Sequence, residues 1–437
     1  LYCGVLDGDM LRDDVEADLR DRKEEAGPRL YPAYTDYCFG NVPGTLTSAL
    51  GEPTGTRRLP DDVYDGVEGV TAGGERDVDY VVVFLVDGFG LAQWRDHADH
   101  PVVSAVEDAA TVTPLTSVFP SETAAAITTF NTGVYPAEHG VLGWNVYDPN
   151  LDASFLGLGF EGKAGASVAA YDATDAYAVE PLYPELGTRG VESRLVAPFP
   201  VRTAGATSHE YDATDPSTMV AATGDAVALA DDPAYVYVYL PHVDHEGHAS
   251  GTTSDAYAEV VDETWRSVAD AVDATRNAVA ADADVLTAFA ADHGHVDTDP
   301  ERNVDLTAYE TVVDGLERYG DGSPVYLSGS PRNVELHVRD DAEADVRRVL
   351  EDEVGALVFD RETVLDRGLF GDGPVAAETE RRAGDLVAVH PDLGVWFGGD
   401  VEPDELRIHG MHGGLHPDEM LVPFGVARLD AVAEALP

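Results

Sequence analysis

The residues best suited to chemistry recur at the ends of apolar runs. Asp87 follows YVVVFLV at 80–86, and Asp244-x-x-Gly247-His248 follows YVYVYL at 235–240. Asp292-His293-Gly294 closes the run at 284–291, and His409, His412 and His416 lie in HGMHGGLHPDEM, just before the apolar segment 421–426. An aspartate after a strand is ordinarily a turn former, and acids are abundant here, so the histidines carry more of the argument. They crowd into 242–248, 293–295 and 409–416. Histidine with aspartate is the mixed nitrogen and oxygen donor set that suits Zn²⁺. The 244/248 spacing sets two donors one helical or turn-like step apart, close enough to grip one ion.

A hydroxyl stands among them. In FPSETAAAITTF the alanine-rich stretch reads as a helix with no breaker before Gly133, which puts Thr123 at a strand-to-helix junction. A helix N-terminus offers unpaired N–H groups and a positive dipole end to an anion. Ser121 or Thr123 could simply cap that helix. Alternatively, the Thr123 hydroxyl attacks a phosphoryl group.

The elements that must position these groups are strands alternating with helices. Strand-like runs at 80–86, 111–118, 194–199, 235–240, 284–291 and 421–426 are separated by helical stretches at 91–109, 215–230, 254–280 and, after the last strand, 429–436. This predicts an α/β fold, a doubly wound and mainly parallel sheet with helices on both faces and its site at the carboxyl ends of the strands. Residues 9–25 read as a charged, exposed helix, and 145–190 as a Gly-rich loop or small cap. The expected division is an N-terminal arm over 1–75, a catalytic domain over 76–323 and 406–437, and a small α+β insert over 324–405.

Composition narrows the partners. The 437 residues include 82 acidic and 27 basic side chains, a net charge of −55, and lysine only at Lys23 and Lys163. Acid spread along the whole chain suits a halophile's cytoplasm, where molar salt shortens the Debye length to about 3 Å. No basic stripe exists for stable nucleic-acid binding. No apolar run reaches membrane-spanning length and no secretory pattern marks the first residues. Cys3 and Cys38 are expected as a reduced pair. A monomer or homodimer is expected.

Taken in order, Asp87, Thr123, Asp244-x-x-Gly247-His248, Asp292-His293-Gly294 and His412-Gly413-Gly414 resemble the alkaline phosphatase superfamily. The segment FPSETAAAITTFNTGVYPAEHG is similar to the type I phosphodiesterase/nucleotide pyrophosphatase branch. The resemblance spans roughly residues 80–300 and 408–426. It implies two divalent metal ions, Zn²⁺ first and Mn²⁺ as an alternative. Asp244, His248 and His412 would hold one. Asp87, Asp292 and His293 would hold the other, with Thr123 Oγ as a further ligand and as the nucleophile. His242, His245, His295, His409 and His416 are then expected around the ligands rather than among them, and His139 in the loop that closes the helix. The resemblance also leads us to expect an amide contact to phosphate on the Thr123 helix, where this chain has Ala126; Asn145 could supply it instead. The implied activity is hydrolysis of phosphodiester or pyrophosphate bonds in nucleotide-like or other small phosphoester substrates through a phospho-threonine. Alternatives on the same scaffold are a phosphomonoesterase, a phosphonate or sulfate-ester hydrolase, and a non-catalytic binding module.

Overall fold

In a computed structural model, residues 11–22, 29–51, 57–71, 76–171, 176–199, 204–398 and 407–437 are described. The run Tyr80–Val86 forms β1, and every side chain from Val81 to Val86 is buried. Successive strand side chains point to opposite faces, so both faces of β1 are covered. Six further strands complete the central sheet: β2 (Thr111–Thr116), β3 (Glu192–Ala197), β4 (Thr207–Glu210), β5 (Ala234–Leu240), β6 (Val285–Ala290) and β7 (Leu421–Arg428). Their order is β2-β7-β6-β1-β5-β3-β4, and only β7 runs against the rest.

Helices pack on both sides, as expected. The register places Phe84 beside Phe289 and Val83 beside Tyr237, so Phe289 and Tyr237 face opposite sides. Helix α1 (Thr123–Thr132) sets Phe130 on Tyr237, with ring centroids 4.8 Å apart. Helix α2 (His242–Ser250) follows β5, and α3 (Asp255–Ala278) sets Trp265 on Phe289 on the other face. Helix α1 ends where Gly133 takes a left-handed cap, φ 71°, a conformation glycine adopts without a Cβ clash.

A second seven-stranded sheet runs in the order Leu357–Asp360, Leu386–Val389, Asn333–Leu336, Gly329–Ser330, Asn145–Asp148, Ala153–Leu156, Gly162–Gly165. Every pairing in it is antiparallel. The stretch expected as a loop or cap from 145 therefore supplies three strands. It joins the later segment where Asn145 pairs with Gly329.

The N-terminal helix Asp13–Asp21 is charged on one face only, because Val15 and Leu19 are buried. Cys38 is buried, while its expected partner Cys3 lies outside the described residues. Among the described residues no helix is long and apolar enough to cross a membrane.

Candidate metal centre

The carboxyl edge of the central sheet gathers the donors. Asp87 is the first residue past β1, and Asp292 lies two residues past β6. Asp244 and His248 lie on α2, which starts one residue past β5. Strand β7 begins at this same edge, with Leu421 beside Thr116 of β2, so the loop that precedes it delivers His412.

Two clusters form. Asp244, His248, His295 and His412 make one, and Asp87, Asp292 and His293 the other; in each, the donor atoms lie within 4.8 Å of one another. In the first, Asp244 Oδ1 lies 3.4 Å from His248 Nε2, 3.4 Å from His412 Nε2 and 3.0 Å from His295 Nε2. In the second, His293 Nε2 lies 3.2 Å from Asp87 Oδ1 and 3.5 Å from Asp292 Oδ2. Thr123 Oγ1 stands 3.0 Å from the same His293 nitrogen. The rings of His293 and His412 stack between the clusters, centroids 3.6 Å apart.

All four rings are oriented by main-chain carbonyls. Nδ1 of His248 lies 2.6 Å from Gly410 O, that of His412 3.1 Å from Ser121 O, that of His295 3.0 Å from Gly88 O and that of His293 3.2 Å from Gly294 O. A carbonyl only accepts, so each Nδ1 carries the proton and each Nε2 turns a lone pair inward. His248 and His412 bring two such lone pairs 3.1 Å apart.

Lone pairs and carboxylates converging with few donors suit a cation. Asp87 Oδ1, Asp244 Oδ1, Asp292 Oδ2 and His295 Nε2 are buried without a hydrogen-bond partner, which is costly unless something positive sits among them. Burial and the facing Asp244 push the Asp87 carboxyl well above the usual range, and burial with Asp87 does the same to Asp292. The donors fit divalent cations, one per cluster.

The capping role fails for both hydroxyls at the head of α1. Glu122 is its N-cap residue and makes no side-chain cap. Ser121 donates to Gly414 O instead, at 2.8 Å. Burial, with Asp244 and Asp87 nearby, pushes the Glu122 carboxyl up to about 8. This acid beside Thr123 is therefore largely neutral near pH 7.

The seven expected donors come together, and His295 joins them. It was expected around the ligands, yet its Nε2 points into the Asp244 cluster. The signal available was its two-residue spacing from His293. Tyr239 was missed entirely; its hydroxyl donates to Asp87 Oδ2 from the middle sheet. His242 instead reaches Ala213 O, and His416 caps the helix Pro417–Met420. His139 bonds Thr129 at 3.0 Å and accepts from Val141 N, the loop-closing role expected of it. Ala126 is buried in the main core, whereas Asn145 lines the same cavity as Thr123.

That cavity, about 410 Å³, opens onto Thr123, Asp244, His248 and His412. Trp144, Tyr326, Trp396, Phe397, Ile408 and Met411 form much of its wall, and no lysine or arginine does so among the described residues. The rings of Tyr326 and Phe397 stack at 4.8 Å.

The profile of a family described as type I phosphodiesterase / nucleotide pyrophosphatase matches residues 81–415. Similar solved structures include a murine ectonucleotide pyrophosphatase/phosphodiesterase 5, an inactive threonine-to-alanine variant in complex with AMP. It has a TM-score of 0.60 and 18% identity, over 79% of this chain and 87% of that one. The human protein of the same description gives a TM-score of 0.58 and 16% identity, over 79% and 87%.

Proposed function

Because the chain belongs to the type I phosphodiesterase/nucleotide pyrophosphatase family, whose members are phosphoric ester hydrolases, we propose that it hydrolyses small phosphodiesters or pyrophosphates at a two-metal site through a phospho-threonine. One observation carries this reading: Thr123 Oγ1 lines the cavity and lies 3.0 Å from His293 Nε2, where the two clusters meet.

Asp244, His248 and His412 would hold one ion, Zn²⁺ by the character of the donors, and Asp87, Asp292 and His293 the other. When bound, the ions ease deprotonation of the threonine hydroxyl and neutralise phosphoryl oxygens. Thr123 Oγ attacks phosphorus and the bond to the leaving oxygen breaks, that oxygen departing with a proton. Water then attacks the phospho-threonine, its oxygen bonding to phosphorus as the bond to Oγ breaks, and one of its protons passes to Oγ. The Thr123 N–H, in the first turn of α1 where no intrahelical partner exists, would serve as an oxyanion donor. Tyr239 fixes Asp87, and main-chain carbonyls fix the four imidazoles.

The wall of the cavity favours a diester. A monoester dianion calls for a guanidinium or ammonium partner, and the described lining has none. The aromatic wall suits a flat group such as a base, in line with the AMP bound by the murine relative. Bis-aryl and mono-aryl phosphate should be compared side by side in molar KCl with Zn²⁺ or Mn²⁺. A faster diester is expected. A faster monoester points to a phosphomonoesterase and overturns the reading.

A further inference from the structure

We propose that His295 is a direct metal ligand, so that four protein side chains, Asp244, His248, His295 and His412, complete the coordination of one ion before substrate arrives. The inference rests on the two-metal reading above.

The separations carry it. A tetrahedral ion with bonds of about 2.0–2.1 Å spaces its donor atoms about 3.3 Å apart. Asp244 Oδ1 lies 3.4, 3.4 and 3.0 Å from the Nε2 atoms of His248, His412 and His295, and the first two nitrogens are 3.1 Å apart. These are four of the six edges of such a tetrahedron, and all four donor atoms lie within 4.8 Å of one another. At 3.0 Å, His295 Nε2 and Asp244 Oδ1 are near enough to bond, yet neither atom has a hydrogen-bond partner.

The fold makes room for this ring specifically. A Cβ on Gly88 would stand 2.4 Å from His295 Cε1, one on Gly247 3.1 Å from the same atom, and one on Gly410 3.2 Å from Cδ2. Three backbone segments without side chains thus enclose the imidazole, and Gly88 O also takes its Nδ1 proton. A ring that merely filled space would not need its Nε2 aimed among three other donors.

The second cluster is built differently. It offers three side chains and the Thr123 hydroxyl, the group assigned to the reaction. Four protein ligands close a tetrahedral zinc site, whereas three leave a position open. The Asp244 site would therefore hold its ion more tightly, and a phosphoryl oxygen would reach that ion only as a fifth ligand.

The test uses the full chain with Co²⁺ at both sites. Each imidazole bound through Nε2 gives one exchangeable Nδ1 proton resonance shifted by the paramagnetic ion. Four such resonances are expected, from His248, His293, His295 and His412. Three would overturn the assignment of His295 while leaving the two-metal reading intact; none would overturn both. As a second measurement, His295→Leu, which keeps apolar volume, should weaken Zn²⁺ binding at the Asp244 site by more than about a hundredfold in competition with a chromophoric chelator, beyond the roughly 10–100-fold that losing an outer partner of a ligand costs, and a smaller loss would mark His295 as such a partner. Unchanged affinity would overturn the proposal. If the variant does not fold, the resonance count in the unaltered chain decides alone.

Discussion

Arg332 and Glu419 form a two-pronged ion pair with both side chains fully enclosed, Nε to Oε1 and Nη2 to Oε2 each 2.8 Å. Arg332 sits between two strands of the second sheet, while Glu419 lies just ahead of β7. The same carboxylate accepts from Gly414 N and His416 N, so it also grips the loop that delivers His412. Arg332 spends its remaining donors on Leu393 O and Pro391 O. The antiparallel sheet is thereby fastened to the metal-binding edge of the parallel one.

Arg332→Met should destabilise the chain by about 3–5 kcal/mol, because Glu419 is left as an uncompensated buried charge. Adding Glu419→Gln should recover part of that loss. Melting curves of the two variants check this, and a single variant as stable as the unaltered chain would contradict it.

Thr123→Ala should abolish phosphoester turnover with both ions still bound by elemental analysis, and Thr123→Ser should retain part of the activity. A capping threonine would behave differently, costing about 1 kcal/mol of stability and sparing turnover.

Glu335, inside the second sheet, accepts from Gly384 N at 2.9 Å through Oε2, but its Oε1 has no partner. Burial pushes this carboxyl up to about 8. The folded value lies above the unfolded one of about 4.3, so the folded chain keeps a proton that the unfolded chain releases. Its contribution is complete below about pH 4.3 and is lost as pH rises through about 8. Glu335→Gln should therefore match the unaltered chain near pH 4 and melt higher near pH 9, by about 1 kcal/mol or more of stability. Parallel melting profiles would count against this.

Salt should act on the whole surface. With 82 acidic side chains against 27 basic ones, self-repulsion is strong in dilute buffer and screened in molar KCl. The melting temperature should climb steeply between the two, and a flat response would remove the halophilic reading.

The donors were legible because a parallel sheet brings the carboxyl ends of its strands together, so residues next to unbroken apolar runs must meet. Asp87, Asp292 and the 244/248 pair needed only that rule. His295 was only half legible: its two-residue spacing from His293 put it near the site, but the aim of its ring depends on backbone room beside Gly88, Gly247 and Gly410. The strands over 145–165 were missed because they are short and Gly-rich and take their stability from pairing with distant partners such as Gly329. Arg332 and Glu419 stand 87 residues apart, and neither side chain announces a buried role by its type.

Asp87 and Asp292 follow the ends of the neighbouring strands β1 and β6, and Asp244 lies in the first turn of α2, the helix that β5 leads into; the registers align Val86 with Leu240 and Leu85 with Ala290. Neighbouring strands keep a spacing of about 4.8 Å through their main-chain hydrogen bonds. The sheet thus acts as a ruler for the centre: the interval between the two clusters is measured out by peptide groups that no substitution alters. Changes in side chains can select a different ion or a different substrate, but the gauge they are mounted on stays the same.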